Sequence, residues 1–282
     1  MKKYNVLSLV VLFLISSLAL TAQVDIIGAK DFMAMKKNNK DLVIVDANKP
    51  KNYDVNHVKG AININHNDLY KDGEIKGLFM NPEDLAAFFG EKGINENSKV
   101  VIYDDGSHKY ATRVYYVLKY IGATDINILH KDMDAWRAAR VPLTATPASL
   151  DATTFTPSVD EAIFADIEYV KTNKDLPGFA LIDCRTADEY NGVKKSEGFI
   201  PGAININYEE LLTDNGAFKS AEALAAIAAE YGITAEDELI LYCRTSVRAA
   251  VAYVAFKNIL GYEKVRVYDG AYLEWVANYP VE

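Results

Sequence analysis

The hexapeptide Gly60-Ala61-Ile62-Asn63-Ile64-Asn65 recurs unchanged as Gly202-Ala203-Ile204-Asn205-Ile206-Asn207, 142 residues later. The flanks follow in the same order. Val43-Ile44-Val45-Asp46 matches Ala180-Leu181-Ile182-Asp183 at a spacing of 137, and Lys99-Val100-Val101-Ile102-Tyr103 matches Glu238-Leu239-Ile240-Leu241-Tyr242 at 139. Gly122 with Gly261 and Trp136 with Trp275 keep that last spacing. Chance does not produce a six-residue identity inside a colinear series, so the chain is a tandem duplication and its fold must be built twice. With 282 residues, half of them apolar, it is long enough to bury two cores. The copies span residues 23–145 and 161–282. Between them, 146–160 lies in a stretch where Pro142, Pro147 and Pro157 among Thr, Ala and Ser break both periodicities, which predicts a linker.

Each copy alternates short β-rich runs with helical patterns, the signature of an α/β fold in which a parallel sheet is covered by helices on both faces. In the second copy strands are predicted at 179–183, 203–207, 239–242 and 265–268. Helices are predicted at 166–173, at 220–231 behind an N-capping Ser220, and at 247–260, the last two ending at Gly232 and Gly261.

Residues 1–22 read as a leader. Met1-Lys2-Lys3 precedes an apolar run from Val6 to Leu20 and a small-residue site at Thr21-Ala22, the order of a secretory signal peptide. The apolar run is short for a spanning helix, and no other segment is apolar enough to span. The expectation is an exported, periplasmic, soluble protein, a monomer with no membrane contact after cleavage. The formal charge of −9 becomes −11 without Lys2 and Lys3, and there is no basic cluster, which argues against a nucleic-acid partner.

Cys243 carries the chemistry. It ends the apolar run Leu239–Tyr242 and opens a loop, Arg244-Thr245-Ser246-Val247-Arg248, that leads into a helical pattern. A cysteine between a strand end and a helix start faces free backbone N–H groups and the positive end of the helix dipole. Such surroundings, with flanking arginines, lower a thiol pKa from about 8.5 to roughly 3.5–7.5. The alternative, a buried structural cysteine, leaves Arg244 and Arg248 beside an apolar sulfur without a purpose.

With the duplication, the Cys243 loop, Asp183-Cys184-Arg185, Tyr190, Gly202-Ala203-Ile204-Asn205 and the tail Tyr268-Asp269-Gly270-Ala271-Tyr272…Trp275 in hand, the chain resembles the tandem-domain rhodaneses, which are sulfurtransferases. The resemblance covers nearly the whole chain after residue 22. It implies two rhodanese-like domains with the catalytic cysteine in the second. The position matching Cys243 in the first copy is Asp104, and a carboxylate cannot form the S–S bond that sulfur transfer needs. The first domain is therefore expected to be inactive. Arg113, early in the matching helix, is left between a cleft contact and an acidic neighbour.

The implied reaction is a double displacement. Cys243 takes the outer sulfur of thiosulfate, or the sulfur of 3-mercaptopyruvate, holds it as a persulfide and passes it to cyanide or a thiol. The amides of 244–248 would cradle the persulfide, and Arg185, Arg244, Thr245, Ser246, Val247 and Arg248 form the predicted substrate site, Arg185 being equally consistent with an ion pair to Asp183 or Glu189. Four residues separate Cys243 from Arg248, a tighter loop than the phosphate loops of protein tyrosine phosphatases, which favours sulfur. The mercaptopyruvate enzymes usually lack loop arginines, so thiosulfate is the expected donor. No cofactor and no metal are expected.

Two departures qualify the resemblance. Ser246 stands where the family usually has glycine; at positive φ it would cost about 1–2 kcal/mol, unless its hydroxyl donates to the persulfide. Glu189 stands where many thiosulfate enzymes have a second substrate arginine, a duty that then falls to Arg248. Cys184 reads mainly as a small buried residue, with a protective disulfide to Cys243 as the other reading. His57 matches Phe199, which predicts packing; His66, His108 and His130 look scattered. The competing functions are a catalytically weak sulfane-sulfur carrier or sensor, and a thiol–disulfide protein, against which stands the absence of a Cys-x-x-Cys spacing.

Overall fold

A computed structural model describes residues 25–193 and 198–282. The proposed leader, residues 1–22, lies outside the described residues. Twelve strands follow in chain order: Ile26–Ile27 (β1), Val43–Asp46 (β2), His57–Val58 (β3), Ala61–Asn63 (β4), Val100–Tyr103 (β5), Ile126–Leu129 (β6), Leu143–Thr144 (β7), Phe164–Ala165 (β8), Phe179–Asp183 (β9), Ile204–Asn205 (β10), Glu238–Tyr242 (β11) and Val265–Tyr268 (β12). They form two parallel five-stranded sheets of identical order, β1-β6-β5-β2-β4 and β8-β12-β11-β9-β10, so the sequence repeat is a repeat of topology. The inner strands are unbroken aliphatic runs buried on both faces, as parallel sheets require. The antiparallel pair β3–β7 lies beside the first sheet, and in the second domain Phe199 and Glu282 exchange backbone hydrogen bonds at the place that matches His57.

Two of the predicted helices start where a side chain caps them. Ser220 accepts from the Ala223 amide ahead of helix Ala221–Glu230, and Asp166 from the Tyr169 amide ahead of Ile167–Asn173. The third predicted helix starts as Ala249–Tyr253 and continues as a wider, π-type turn over Val254–Ile259. It packs against its counterpart in the first domain, Lys109–Tyr120, with Tyr116 edge-on to Tyr253 at 5.1 Å. One core therefore runs through both domains. The second and third clusters cover the outer faces of the two sheets.

The predicted linker is strapped down. The Thr153, Ser158 and Asp160 amides donate to the carbonyls of Gly90, Ile121 and Tyr120, and Phe155 is buried in the core. At Gly122, φ is +99° and a Cβ would lie 2.6 Å from the Ser158 carbonyl, so only glycine allows the segment to pass this close.

Candidate active site

Cys243 follows the central strand of the second sheet, at the C-terminal ends of the strands where α/β folds gather their sites. It is 1% exposed, and its carbonyl accepts the Tyr272 amide at 3.0 Å. The loop turns on Ser246, whose φ of +57° is the left-handed conformation that glycine normally supplies. Its fully buried hydroxyl donates to the Tyr268 carbonyl. Ser246 is thus tied to the neighbouring strand β12, and the hydroxyl expected to donate to a persulfide is committed elsewhere. Val247 is buried, while Arg244, Thr245 and Arg248 are half-buried. Among the described residues, the backbone amides of Thr245 to Arg248 make no hydrogen bond to a carbonyl.

Arg248 lies beside the sulfur and is clamped by Glu189, Nη1 at 2.6 Å and Nη2 at 3.0 Å from its two carboxylate oxygens. Burial works against the Arg248 charge, but hydrogen bonds and attraction to Glu189 and Cys243 more than offset it and push its pKa up. Burial likewise works against the Glu189 charge, yet Arg248 and the Thr186 cap hold that carboxyl down at about 2. Glu189 thus fixes the Arg248 guanidinium in place beside Cys243.

Arg185 requires a correction. It is fully buried, with Nε 2.9 Å from both Asp183 carboxylate oxygens and Nη2 2.8 Å from the Gly198 carbonyl. Its guanidinium lies 4.0 Å from the Tyr272 ring centroid. Side chains alternate along a strand, so Asp183 and Arg185 face away from the side of the sheet that holds Cys184 and Cys243. Arg185 is a structural ion pair and not part of a donor pocket.

Cys184 and Cys243 are neighbours without a bond between them. Burial pushes the Cys184 thiol well above its usual range, and the nearby Cys243 and Asp183 add to this. Such a thiol is a poor resolving nucleophile. His57 is buried, stacks on Tyr53 at 3.7 Å and meets the Tyr53 and Thr146 carbonyls, as Phe199 stacks on Tyr190 at 4.0 Å in the second copy. The impression of scattered histidines fails for one pair: His108 Nε2 lies 3.1 Å from His130 Nδ1.

The first domain shows what the loop accommodates. The Asp104 carboxylate accepts the amides of Gly106, His108, Tyr110 and Ala111 at 2.8–3.1 Å. Burial and the neighbouring Asp105 push this carboxyl up to about 6 while the amides pull the other way. The two loops are not superposable residue by residue, because positive φ falls at Gly106 and His108 in one and at Ser246 in the other. In the first domain the carboxylate lies over a ring of amides at a helix start; in the second, the Thr245 to Arg248 amides, which have no carbonyl partner among the described residues, lie between Cys243 and the next helix.

The repeat pattern did not reveal the roof over the loop. Gly77 of the first domain, φ +95°, sits so close that a Cβ would meet Thr245 Cβ at 2.9 Å. Behind it, fully buried Arg113 donates to the Gly77 carbonyl at 3.2 Å and to Asp269 at 2.8 Å, with Phe79 stacked 3.9 Å away. Asp269 also accepts the Phe79 amide at 2.9 Å. Asp269, next to the strand-ending Tyr268, was the available signal, since an acidic residue there had a buried arginine to answer.

The family model described as rhodanese-like domain matches residues 28–139 and 166–278. The chain belongs to the rhodanese family. A Haloferax volcanii protein provisionally named a thiosulfate sulfurtransferase is 32% identical over 82% of this chain and 84% of its own length. The Thermus thermophilus sulfur carrier protein TtuD is 30% identical over 79% and 83%. The crystal structure of SseA from Escherichia coli, a 3-mercaptopyruvate sulfotransferase of rhodanese fold, superposes with a TM-score of 0.79 at 25% identity, covering 89% of this chain and 99% of that one. This rhodanese therefore shares its two-domain plan with sulfur-handling proteins along nearly its whole length.

Proposed function

We propose that this rhodanese transfers sulfur through Cys243, with thiosulfate as donor. Sulfur chemistry is common to the relatives it matches. The observation that carries the assignment to Cys243 is the Asp104 amide nest. A persulfide places its terminal sulfur two bonds beyond Cβ, as a carboxylate places its oxygens, so the second-domain loop suits a Cys243 persulfide as the first-domain loop suits Asp104.

The Cys243 thiolate attacks the outer sulfur of thiosulfate, forming a new S–S bond; the bond to the sulfonate sulfur breaks and sulfite leaves with the electron pair. Amides of Thr245 to Arg248 stabilise the anionic persulfide, and Arg248, aimed by Glu189, balances charge at the sulfur. Cyanide or a thiol then attacks the terminal sulfur and returns Cys243 to the thiolate. Arg244 and Arg248 are the arginines that favour the doubly charged donor over 3-mercaptopyruvate. Export to the periplasm rests on residues 1–22 alone.

A second reading, a sulfur carrier that loads slowly and hands its sulfur to a partner, draws support from the 1% exposure of Cys243, from Gly77 packed against Thr245 of its loop, and from the likeness to TtuD. One experiment separates them. Thiocyanate formation from thiosulfate and cyanide is followed for wild type and Cys243→Ser, with intact mass after thiosulfate alone. Turnover lost in the variant, with one sulfur added to wild type only, is expected. A stable persulfide without turnover favours the carrier, and undiminished turnover in Cys243→Ser refutes both.

A further inference from the structure

The repeat provides an internal template for a site that the sulfur chemistry does not use. In the second domain Asp183 holds the Arg185 guanidinium against the Gly198 carbonyl and the Tyr242 and Tyr272 rings. In the first domain the frame is the same. Tyr103 donates to the Asp46 carboxylate at 2.7 Å, the Asn48 amide donates to it at 2.8 Å, and Asn63 Nδ2 bridges the carbonyls of Asp46 and Asn48 as Asn205 bridges those of Asp183 and Arg185. The arginine is missing: its position is Asn48, and Met133 stands where the second domain has Tyr272. Around the shortened side chain lies a pocket of about 310 Å³. The residues matching Asp183, Gly198, Tyr242 and Tyr272 around Arg185, namely Asp46, Asn56, Tyr103 and Met133, line it.

We infer that this pocket binds a small organic cation of the guanidinium class, held by Asp46 where the second domain holds its own Arg185. Asp46 is 1% exposed, and among the described residues no cationic side chain lies within ion-pair distance of it. Asn48, 5% exposed, lines the pocket with an Oδ1 that has no hydrogen-bond partner. A buried carboxylate next to an orphan amide oxygen complements a flat cation with several N–H donors. The Tyr103 and Trp136 rings in the same wall suit a guanidinium face better than a hydrated metal ion. Asp105 and Lys131 also line the pocket and offset one another, so Asp46 sets its sign.

The test titrates the full chain with agmatine and methylguanidine by calorimetry and thermal shift, with tetramethylammonium chloride at equal ionic strength as control. Saturable binding of the guanidinium compounds and a raised Tm are expected, with no matching response to the control. Asn48→Arg supplies the missing side chain internally: its own Tm rises, agmatine affinity falls by about tenfold or more, and thiosulfate turnover is unchanged. Asp46→Asn loses affinity to a similar degree. Absence of saturable binding, an equal response to tetramethylammonium, or undiminished agmatine binding by Asn48→Arg overturns the inference.

Discussion

Ser246 holds a backbone conformation that costs a non-glycine residue about 1–2 kcal/mol, and its hydroxyl offsets part of this by satisfying the Tyr268 carbonyl. The two effects separate by substitution. Ser246→Gly removes the strain and the hydrogen bond together, leaving stability within about 1 kcal/mol of wild type, whereas Ser246→Ala keeps the strain, orphans a buried carbonyl and costs about 1–3 kcal/mol. Urea denaturation of both variants measures this, and an alanine variant as stable as the glycine variant contradicts it. The need for positive φ was legible from a serine in place of the family's glycine. The direction of the hydroxyl was not, because Tyr268 approaches Ser246 only through the pairing of β11 with β12.

At the scale of elements, the short helix Ala187–Tyr190, capped by Thr186, presents Glu189 to the loop that follows β11. Because the folded-state pKa of Glu189 is lowered from 4.5 to about 2, the unfolded chain takes up the proton first as pH falls. The stability from the Glu189–Arg248 pair is fully present above about pH 4.5 and is lost as pH falls towards about 2. Glu189→Gln should flatten that part of the pH–stability curve, measured as the urea midpoint against pH; an unchanged slope argues against the pair. The same variant leaves the Arg248 charge uncompensated beside Cys243, so the KM for thiosulfate should fall while that for an uncharged donor should not. Both loop arginines were legible at Cys243. What each faces was not, since β9 and β11 are adjacent in the sheet but distant in sequence.

For the whole molecule, the buried pair Arg113–Asp269 ties the first domain to the strand end of the second. Removing one partner of a buried pair strands the other charge, so Asp269→Asn or Arg113→Met alone should cost about 3–5 kcal/mol, whereas the two together should restore much of it. Equilibrium unfolding of the two single variants and the double variant measures the coupling; purely additive losses refute it. The first domain thus contributes more than bulk, since Gly77 closes over Thr245 on the same platform.

The duplication, the α/β class, most strands, several caps and the place of Cys243 between a strand and a helix were all readable from the sequence. Those properties are local: strand hydrophobicity, capping and the strand–loop–helix junction are all written within a few residues of one another. That Arg185 is an internal ion pair, that Glu189 clamps Arg248, that the linker is strapped to a core spanning both domains, and that Gly77, with Arg113 behind it, covers the loop came only from the packing of distant segments. An arginine can pair with any carboxylate within reach of its long side chain. Only the packing of two sheets and two central helices determines which carboxylates are within reach.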